Sequence, residues 1–367
     1  MLGGFLMISA LVFFVMAHEA GHFFAAKATG MKATQFFFGF GPKIFSFVRG
    51  GTEYGMKAIP AGGYVRIAGM NPYEPVDPDD VGSTYREKKF WEKAFVVLAG
   101  VGVNITLAFI LLFALFVAYG NVTDQVVPEV SSISQEVNGD PSPALTAGLQ
   151  VGDRIVSVAG VATGTWDEVV AAISSRPGES TTVGIVRNGT DLELVVALAS
   201  VAAENGSRGF LGVSPTAVIE DVSVIDSVGL AGVWTGRLAK ASLAFLWDMV
   251  TGIGELSRGF VGETVRPEIR PVSVVGLAQI GSQADVLGAD NVLFLLAGIN
   301  VILAVMNALP IFPLDGGHFA VAAFERIFRR EVDVRRLVPV AAMVIVFFIF
   351  LGVLSVFLDI SQPFELN

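Results

Sequence analysis

Cysteine is absent from this 367-residue chain. Its absence excludes disulfides and thiolate metal ligands, and leaves His, Asp and Glu as the side chains able to hold a zinc ion. Histidine is scarce as well, with three copies, so an imidazole site must draw on most of the supply. Charge is thin at 16% of residues and its balance is −10. The acidic balance argues against nucleic acid as a partner, whose phosphates call for a surface of clustered Lys and Arg. What is abundant is apolar: 53% of residues, with a mean hydropathy of +0.65. That is the composition of a membrane protein, and the length leaves room for extramembrane domains as well.

Four stretches are long enough to cross a bilayer at about 1.5 Å per residue: residues 2–25, 94–119, 292–313 and 337–358. Nothing basic precedes Lys27, so the first reads as a retained span and not as a cleaved leader. After it, FFFGFGPKIFSF and TEYGMKAIPAGGYVRIAG alternate aromatic and β-branched runs with Gly and Pro, the pattern of hairpins at a membrane interface. This β-loop is either an element that contacts substrate or an ordinary interfacial loop. From about Asn121 to Val201 the composition turns soluble. TTVGIVRNGTDLELVVAL has a period of two around an Asn-Gly turn and predicts a hairpin, while WDEVVAAISS predicts a short amphipathic helix. Further on, VWTGRLAKASLAFLWDMVTGIGEL is interrupted by Arg237, Lys240 and Asp248 and predicts an interfacial helix.

Orientation follows from basic residues in the short connections. Ten Lys and Arg lie between residues 26 and 93, and five more are Arg326, Arg329, Arg330, Arg335 and Arg336. Both loops are therefore expected on the cytoplasmic side, with residues 120–291 and both termini outside. The expected organisation is a membrane region over 1–119, an inserted domain over 120–201, an interfacial linker over 202–291 and a second membrane region over 292–367. The fold class is a polytopic α-helical membrane protein with about four transmembrane helices, a membrane-associated β-loop and an inserted extracytoplasmic α+β domain. Membrane lipid is its surroundings.

The strongest chemical signal is His18-Glu19-Ala20-Gly21-His22 at the end of the first span. Residues i and i+4 share a helix face, so both imidazoles reach one metal ion while Glu19 flanks the same point as a base. Ionisable groups inside a span are costly and presumptively functional. Two histidines do not complete a tetrahedral zinc site, which takes a third protein ligand and keeps one position open. Asp315, near the end of the third span, is one candidate. His318, the remaining histidine, competes as a ligand or as an outer partner of the ligands. Gly316 and Gly317 fit a backbone turn after the ligand or a helix C-cap. Pro310 and Pro313 break the helix, which a membrane tolerates where backbone is buried in protein or lines a cavity. The Asn307 amide just before them suits a hydrogen bond to a peptide backbone or an oxyanion, or else a contact between helices.

Together, HEAGH, Asn307-Ala-Leu-Pro310-Ile-Phe-Pro313-Leu-Asp315-Gly-Gly, Gly39-Phe40-Gly41-Pro42 and Gly100-Val-Gly-Val-Asn104 resemble the site-2 protease family of intramembrane zinc metalloproteases, in particular its bacterial stress-signalling branch. The resemblance implies that one Zn2+ is bound by His18, His22 and Asp315, that Glu19 is the catalytic base, and that Asn307 and Pro310 hold substrate. Because a helix hides its carbonyls, the substrate is expected to unwind, and the 36–68 β-loop, with Gly39, Gly41, Gly63 and Tyr64, is expected to pair with the exposed strand. Gly100 and Asn104 match the second-helix motif less closely, with Val101 where the family has proline; helix packing is their other reading. Pro143-Ala-Leu-Thr-Ala-Gly148-Leu149-Gln-Val-Gly152-Asp153-Arg-Ile155 resembles a PDZ domain, which takes extended peptides by strand addition. The implied substrate is a single-pass membrane protein, an anti-sigma factor or a remnant signal peptide, cut near the cytoplasmic face of a bacterial inner membrane. Two rival readings are a zinc transporter or metal sensor, and an inactive scaffold that binds through its PDZ-like part.

Overall fold

A computed structural model describes residues 2–71, 75–203, 206–266, 268–283 and 288–363. The chain divides into two compact units, one formed by Met1–Ala118 with Ser223–Leu366 and the other by Tyr119–Val222.

The first unit is built on long apolar helices: α1 (Leu2–Ala28), α2 (Phe90–Tyr119), and further along the chain Ala289–Ala308 and Val338–Ser361. Four helical segments, Leu2–Ala28, Phe90–Tyr119, Ala289–Ala308 and Val334–Ser361, are long and apolar enough to cross a membrane. They match the four expected stretches in order, with one difference. The third helix stops at Ala308, ahead of Pro310 and Pro313, because proline neither donates to nor fits within a helix interior. Asp315 therefore does not end a span; it opens a separate helix.

Between α1 and α2, β1 (Ala33–Arg49) and β2 (Thr52–Ile67) fold over one another. Residues 35–38 each face two partners, one in 63–66 and one in 53–56, and 45–48 pair with 53–56 in turn. One hairpin so makes a sheet four segments wide. Gly39 and Gly41 lie at its bend with φ of 85° and 83°, and a Cβ on Gly39 would sit 2.8 Å from the Ile59 carbonyl oxygen.

The second unit contains β3 (Asn121–Ile133), β4 (Glu136–Val137), β5 (Asp140–Pro141), α3 (Pro143–Thr146), β6 (Arg154–Val158), β7 (Val161–Ala162), α4 (Trp166–Ser174), β8 (Ser180–Arg187), β9 (Thr190–Ala197), β10 (Ala199–Ala203), β11 (Gly206–Phe210) and β12 (Val213–Glu220). Its main sheet runs β12-β3-β6-β8-β9, and the core holds Val130, Ile155, Val158, Val169, Val183 and Ile185. The expected hairpin is β8–β9, closed by Asn188 and Gly189 at φ 51° and 79°, as a two-residue turn with both φ positive requires. The expected short helix is α4, opened by a Thr165–Glu168 capping box. β11 and β12 lie past Val201, where the sequence suggested a linker.

The chain returns to the first unit through α5 (Val224–Thr251), α6 (Ile253–Arg258) and α7 (Val274–Ser282), followed by α8 (Ala289–Ala308), α9 (Asp315–Phe328) and α10 (Val338–Ser361). α5 is not among the four candidate spans; its Ala231 is buried with Leu112 of α2 and Val301 of α8. α7 packs against α1, where Gly4 lets the Ala278 carbonyl approach. On its other side the N-terminus of α7 receives the buried Asp359 carboxylate from α10, through the Ser273 and Gly276 N–H groups at 2.8 and 3.1 Å, with Arg270 at 3.0 Å. Backbone donors at a helix start suit an anion.

In the second unit, the side chain of Asp153 is 0% exposed and accepts two hydrogen bonds from Arg187, both at 2.7 Å, and one from the Gln150 N–H at 2.8 Å. Burial by itself raises the carboxyl pKa, but these donors outweigh it and bring it below the ordinary aspartate value. A group with a depressed folded pKa stabilises above its unfolded pKa, about 3.9, and loses that contribution as pH falls through the lower folded value. Replacing Arg187 by Met strands the carboxylate and is expected to cost roughly 3 kcal/mol at neutral pH. The check is amide hydrogen exchange in β6 and β8, where the gap between wild type and variant should close as the carboxyl protonates below about pH 4.

Candidate metal centre

His18 and His22 lie four residues apart on α1, and both are buried. Their Nε2 atoms are 3.1 Å from each other, and each is 3.1 Å from Oδ2 of Asp315. Separations near 3.3 Å are what about 2.0–2.1 Å bonds to a shared tetrahedral ion would give. The ring of His22 is fixed from behind, where its Nδ1 pairs with the Val96 carbonyl at 2.8 Å, so Nδ1 is the protonated nitrogen and Nε2 carries the free lone pair. Among the described residues, nothing but the two imidazoles stands at Asp315 Oδ2, which is buried. Two ring nitrogens and a carboxylate oxygen converging on one point fit a cation.

Room for this arrangement comes from Gly100 on α2. A Cβ there would collide with His22 Nε2 and lie 2.7 Å from Cε1 and Nε2 of His18. Close approach of the two helices continues at Gly21, whose Cβ would meet the Ala99 oxygen at 2.8 Å. Gly100 thus borders the imidazoles themselves. Asn104, one turn on, is 1% exposed, and among the described residues its Oδ1 has no partner.

Asp315 is brought in by the turn between α8 and α9. Leu314 accepts from the Gly317 and His318 N–H groups at 2.9 and 3.2 Å, which starts α9 with Asp315 in its first turn, where the helix dipole favours a carboxylate. A Cβ on Gly316 would strike the Ala308 and Leu309 carbonyls, and one on Gly317 would lie 2.5 Å from the Phe312 nitrogen. The two glycines therefore belong to a helix start and not to a C-cap.

Glu19 is steadied by β2: its Oε2 accepts from the Val65 N–H at 3.0 Å. Gly63 permits that contact, since a Cβ there would lie 2.6 Å from Met16 Sδ and 3.4 Å from Glu19 Cγ. Tyr64 is stacked between Phe37 and Phe40, with its hydroxyl donating to Gln35 Oε1 at 3.0 Å. Tyr64, Phe312 and His318 line a cleft, and the His318 ring meets Phe312 edge-on at 4.8 Å. His318 is half-buried and is not in the ligand cluster, which consists of His18, His22 and Asp315 among the described residues. Asn307 lies half-buried in the last turn of α8, and Pro310 is exposed. Gly39 and Gly41 shape the β1 bend. Val65 and Val96, which act through backbone atoms, carry no signal in the sequence.

Residues 6–352 match the model of peptidase family M50. Among curated proteins, "Zinc metalloprotease Rip1" of Mycobacterium bovis is 33% identical, covering 97% of this chain and 96% of its own. The Rip1 protein of Mycobacterium tuberculosis gives the same identity and coverage. "Zinc metalloprotease RasP" of Shouchella clausii is 28% identical over 90% of this chain and 91% of its own. A PDZ domain from Listeria monocytogenes aligns with 26% of this chain and 92% of its own at 21% identity; its TM-score of 0.21 is too low to bear an argument.

If Gly100 exists to admit the imidazoles, Gly100→Ala should weaken zinc binding on the order of 10–100-fold, the range seen when a partner that orients a ligand is lost. Metal content of the purified variant under chelator competition, with helix content followed by circular dichroism, checks this.

Proposed function

The chain belongs to peptidase family M50, the site-2 protease family of zinc metalloproteases, and we propose from this premise that it cuts peptide bonds inside the transmembrane segments of single-pass membrane proteins. Anti-sigma factors and remnant signal peptides are the substrate types we infer. The observation that carries the reading is the meeting of His18 and His22 with Asp315, on helices apolar enough to span a bilayer. His18, His22 and Asp315 would hold one zinc ion. When bound, zinc supplies Lewis acidity, polarising a carbonyl and acidifying water.

Glu19 is the general base. Its carboxylate, held at Oε2 by Val65, takes a proton from the attacking water as the new C–O bond forms. It then delivers that proton to the departing amide nitrogen as the C–N bond breaks. A helix hides its carbonyls in internal hydrogen bonds, so the substrate must be extended where it is cut. The 63–66 segment of β2, which includes Tyr64, runs beside Glu19, which supports a role in aligning such a strand, with Asn307 and Pro310 at the turn that leads to Asp315. Gly39 and Gly41 serve this indirectly by bending the sheet. We read the Tyr119–Val222 unit as PDZ-like and extracytoplasmic, limiting which substrates enter, and the membrane as the bacterial inner membrane with the site near its cytoplasmic face. The zinc metalloproteases related over nearly the whole chain favour an enzyme over a transporter or a scaffold.

Glu19→Gln should keep zinc and slow proteolysis on the order of 10²–10⁴-fold, the usual contribution of general acid–base catalysis. Cleavage of a single-span test protein by reconstituted enzyme is the assay, and wild-type rates in the variant would contradict the proposed role.

A further inference from the structure

Val65, whose N–H holds Glu19 at 3.0 Å, also lines a cleft of about 410 Å³. That volume falls within the range of roughly 300–1,000 Å³ in which proteins enclose small ligands. The lining comes from three parts of the chain. Tyr64 and Val65 belong to β2 and Met70 follows it, Phe312 and His318 stand three residues to either side of Asp315, and Val338 opens α10. The cleft therefore borders both the residue that steadies the base and the turn that delivers the carboxylate. Its surface is mostly apolar. Arg66 and Asn71 of the lining are exposed, and the Tyr64 hydroxyl is taken up by Gln35.

The residues that bound this space are held from outside it. Tyr64 is stacked between Phe37 and Phe40, with Lys57 Nζ 4.8 Å from its ring centroid. Past β2 the backbone is pinned at Ala68, whose N–H donates to the Lys32 carbonyl at 2.9 Å and whose carbonyl accepts from the Tyr85 N–H at 2.8 Å. The Met70 N–H then donates to the Ile67 carbonyl at 3.1 Å. Phe312 meets the His318 ring edge-on, and Gly317 leaves its nitrogen no room for a Cβ. An apolar pocket with fixed walls sorts its occupants by size, at about 10–200-fold for a single methylene. A polypeptide that crosses a bilayer carries mainly apolar side chains, so the occupant such a cleft favours is what that polypeptide brings past it.

We propose that this cleft is a specificity pocket: it receives one large apolar side chain, of the size of Leu or Phe, from a residue next to the bond that is cut, and Met70, Phe312 and Val338 set the size it accepts. This rests on the proteolytic reading of the site. The test uses the full chain reconstituted in lipid and single-span test proteins that differ by Ala, Leu or Phe at one position, placed in turn on either side of the mapped cleavage point. Pairs of test proteins compete in one enzyme preparation, so the ratio of their kcat/KM values is independent of the fraction of active enzyme. Wild type should prefer Leu over Ala by at least about tenfold at one of the two positions. Val338→Phe, which fills the cleft, should bring that ratio toward one. Met70→Ala, which enlarges it, should raise Phe relative to Leu about tenfold. A ratio near one in wild type at both positions would overturn the proposal and leave the cleft to a lipid chain. Wild-type ratios retained within twofold in both variants would overturn it as well, by placing the selecting residues elsewhere. If wild type cuts none of the test proteins, the proteolytic reading itself fails and takes this inference with it, a result visible before any ratio is taken.

Discussion

The candidate metal centre depends on bringing one carboxylate to two imidazoles among long apolar helices. His18 and His22 are given to each other by the helix; Asp315 arrives from nearly three hundred residues away, and both rings stand 3.1 Å from the same oxygen. Three buried polar atoms converging in this way are what a cation would draw together. The surrounding structure is arranged to hold them there. Gly100 clears the space on one side, the Val96 carbonyl sets the tautomer of His22, and the turn after Ala308 aims Asp315.

The same economy governs the base. Glu19 is next to His18 in sequence, yet on a helix its side chain leaves at a different angle, and the edge of β2 holds it. The β1–β2 sheet therefore has a task beyond any contact with substrate. Its Gly63 brings backbone against α1, and its Val65 N–H steadies the carboxylate of Glu19, the residue we propose as the base. Ordering a catalytic group through backbone atoms of a sheet keeps it in place without a further ionisable side chain in an apolar region.

Much of this was legible in the residues. The HEAGH spacing is a local property of one helix, so it could be read without knowing the fold, and so could the four apolar stretches and the Asn188-Gly189 hairpin. The helix starting at Asp315 was less legible. Apolar residues run on to Pro313, and where the helix stops is decided by the prolines and by glycines that must fit under the Ala308 and Leu309 carbonyls. Gly100 was visible as a motif, but its physical role needed the register between α1 and α2. Val65 and Val96 were not legible at all. Both act through backbone atoms, which any side chain supplies. In the second unit, β11 and β12 were missed because Gly in the one and Pro in the other interrupt the pattern and leave no clear period.

The central claim is that His18, His22 and Asp315 bind one zinc ion together. X-ray absorption at the zinc edge of the purified full chain tests it most directly. The expected spectrum shows two imidazole nitrogens at about 2.0–2.1 Å with oxygen completing the shell, and it is lost in Asp315→Ala. A zinc environment unchanged by removing Asp315, or one with a single imidazole, would contradict it.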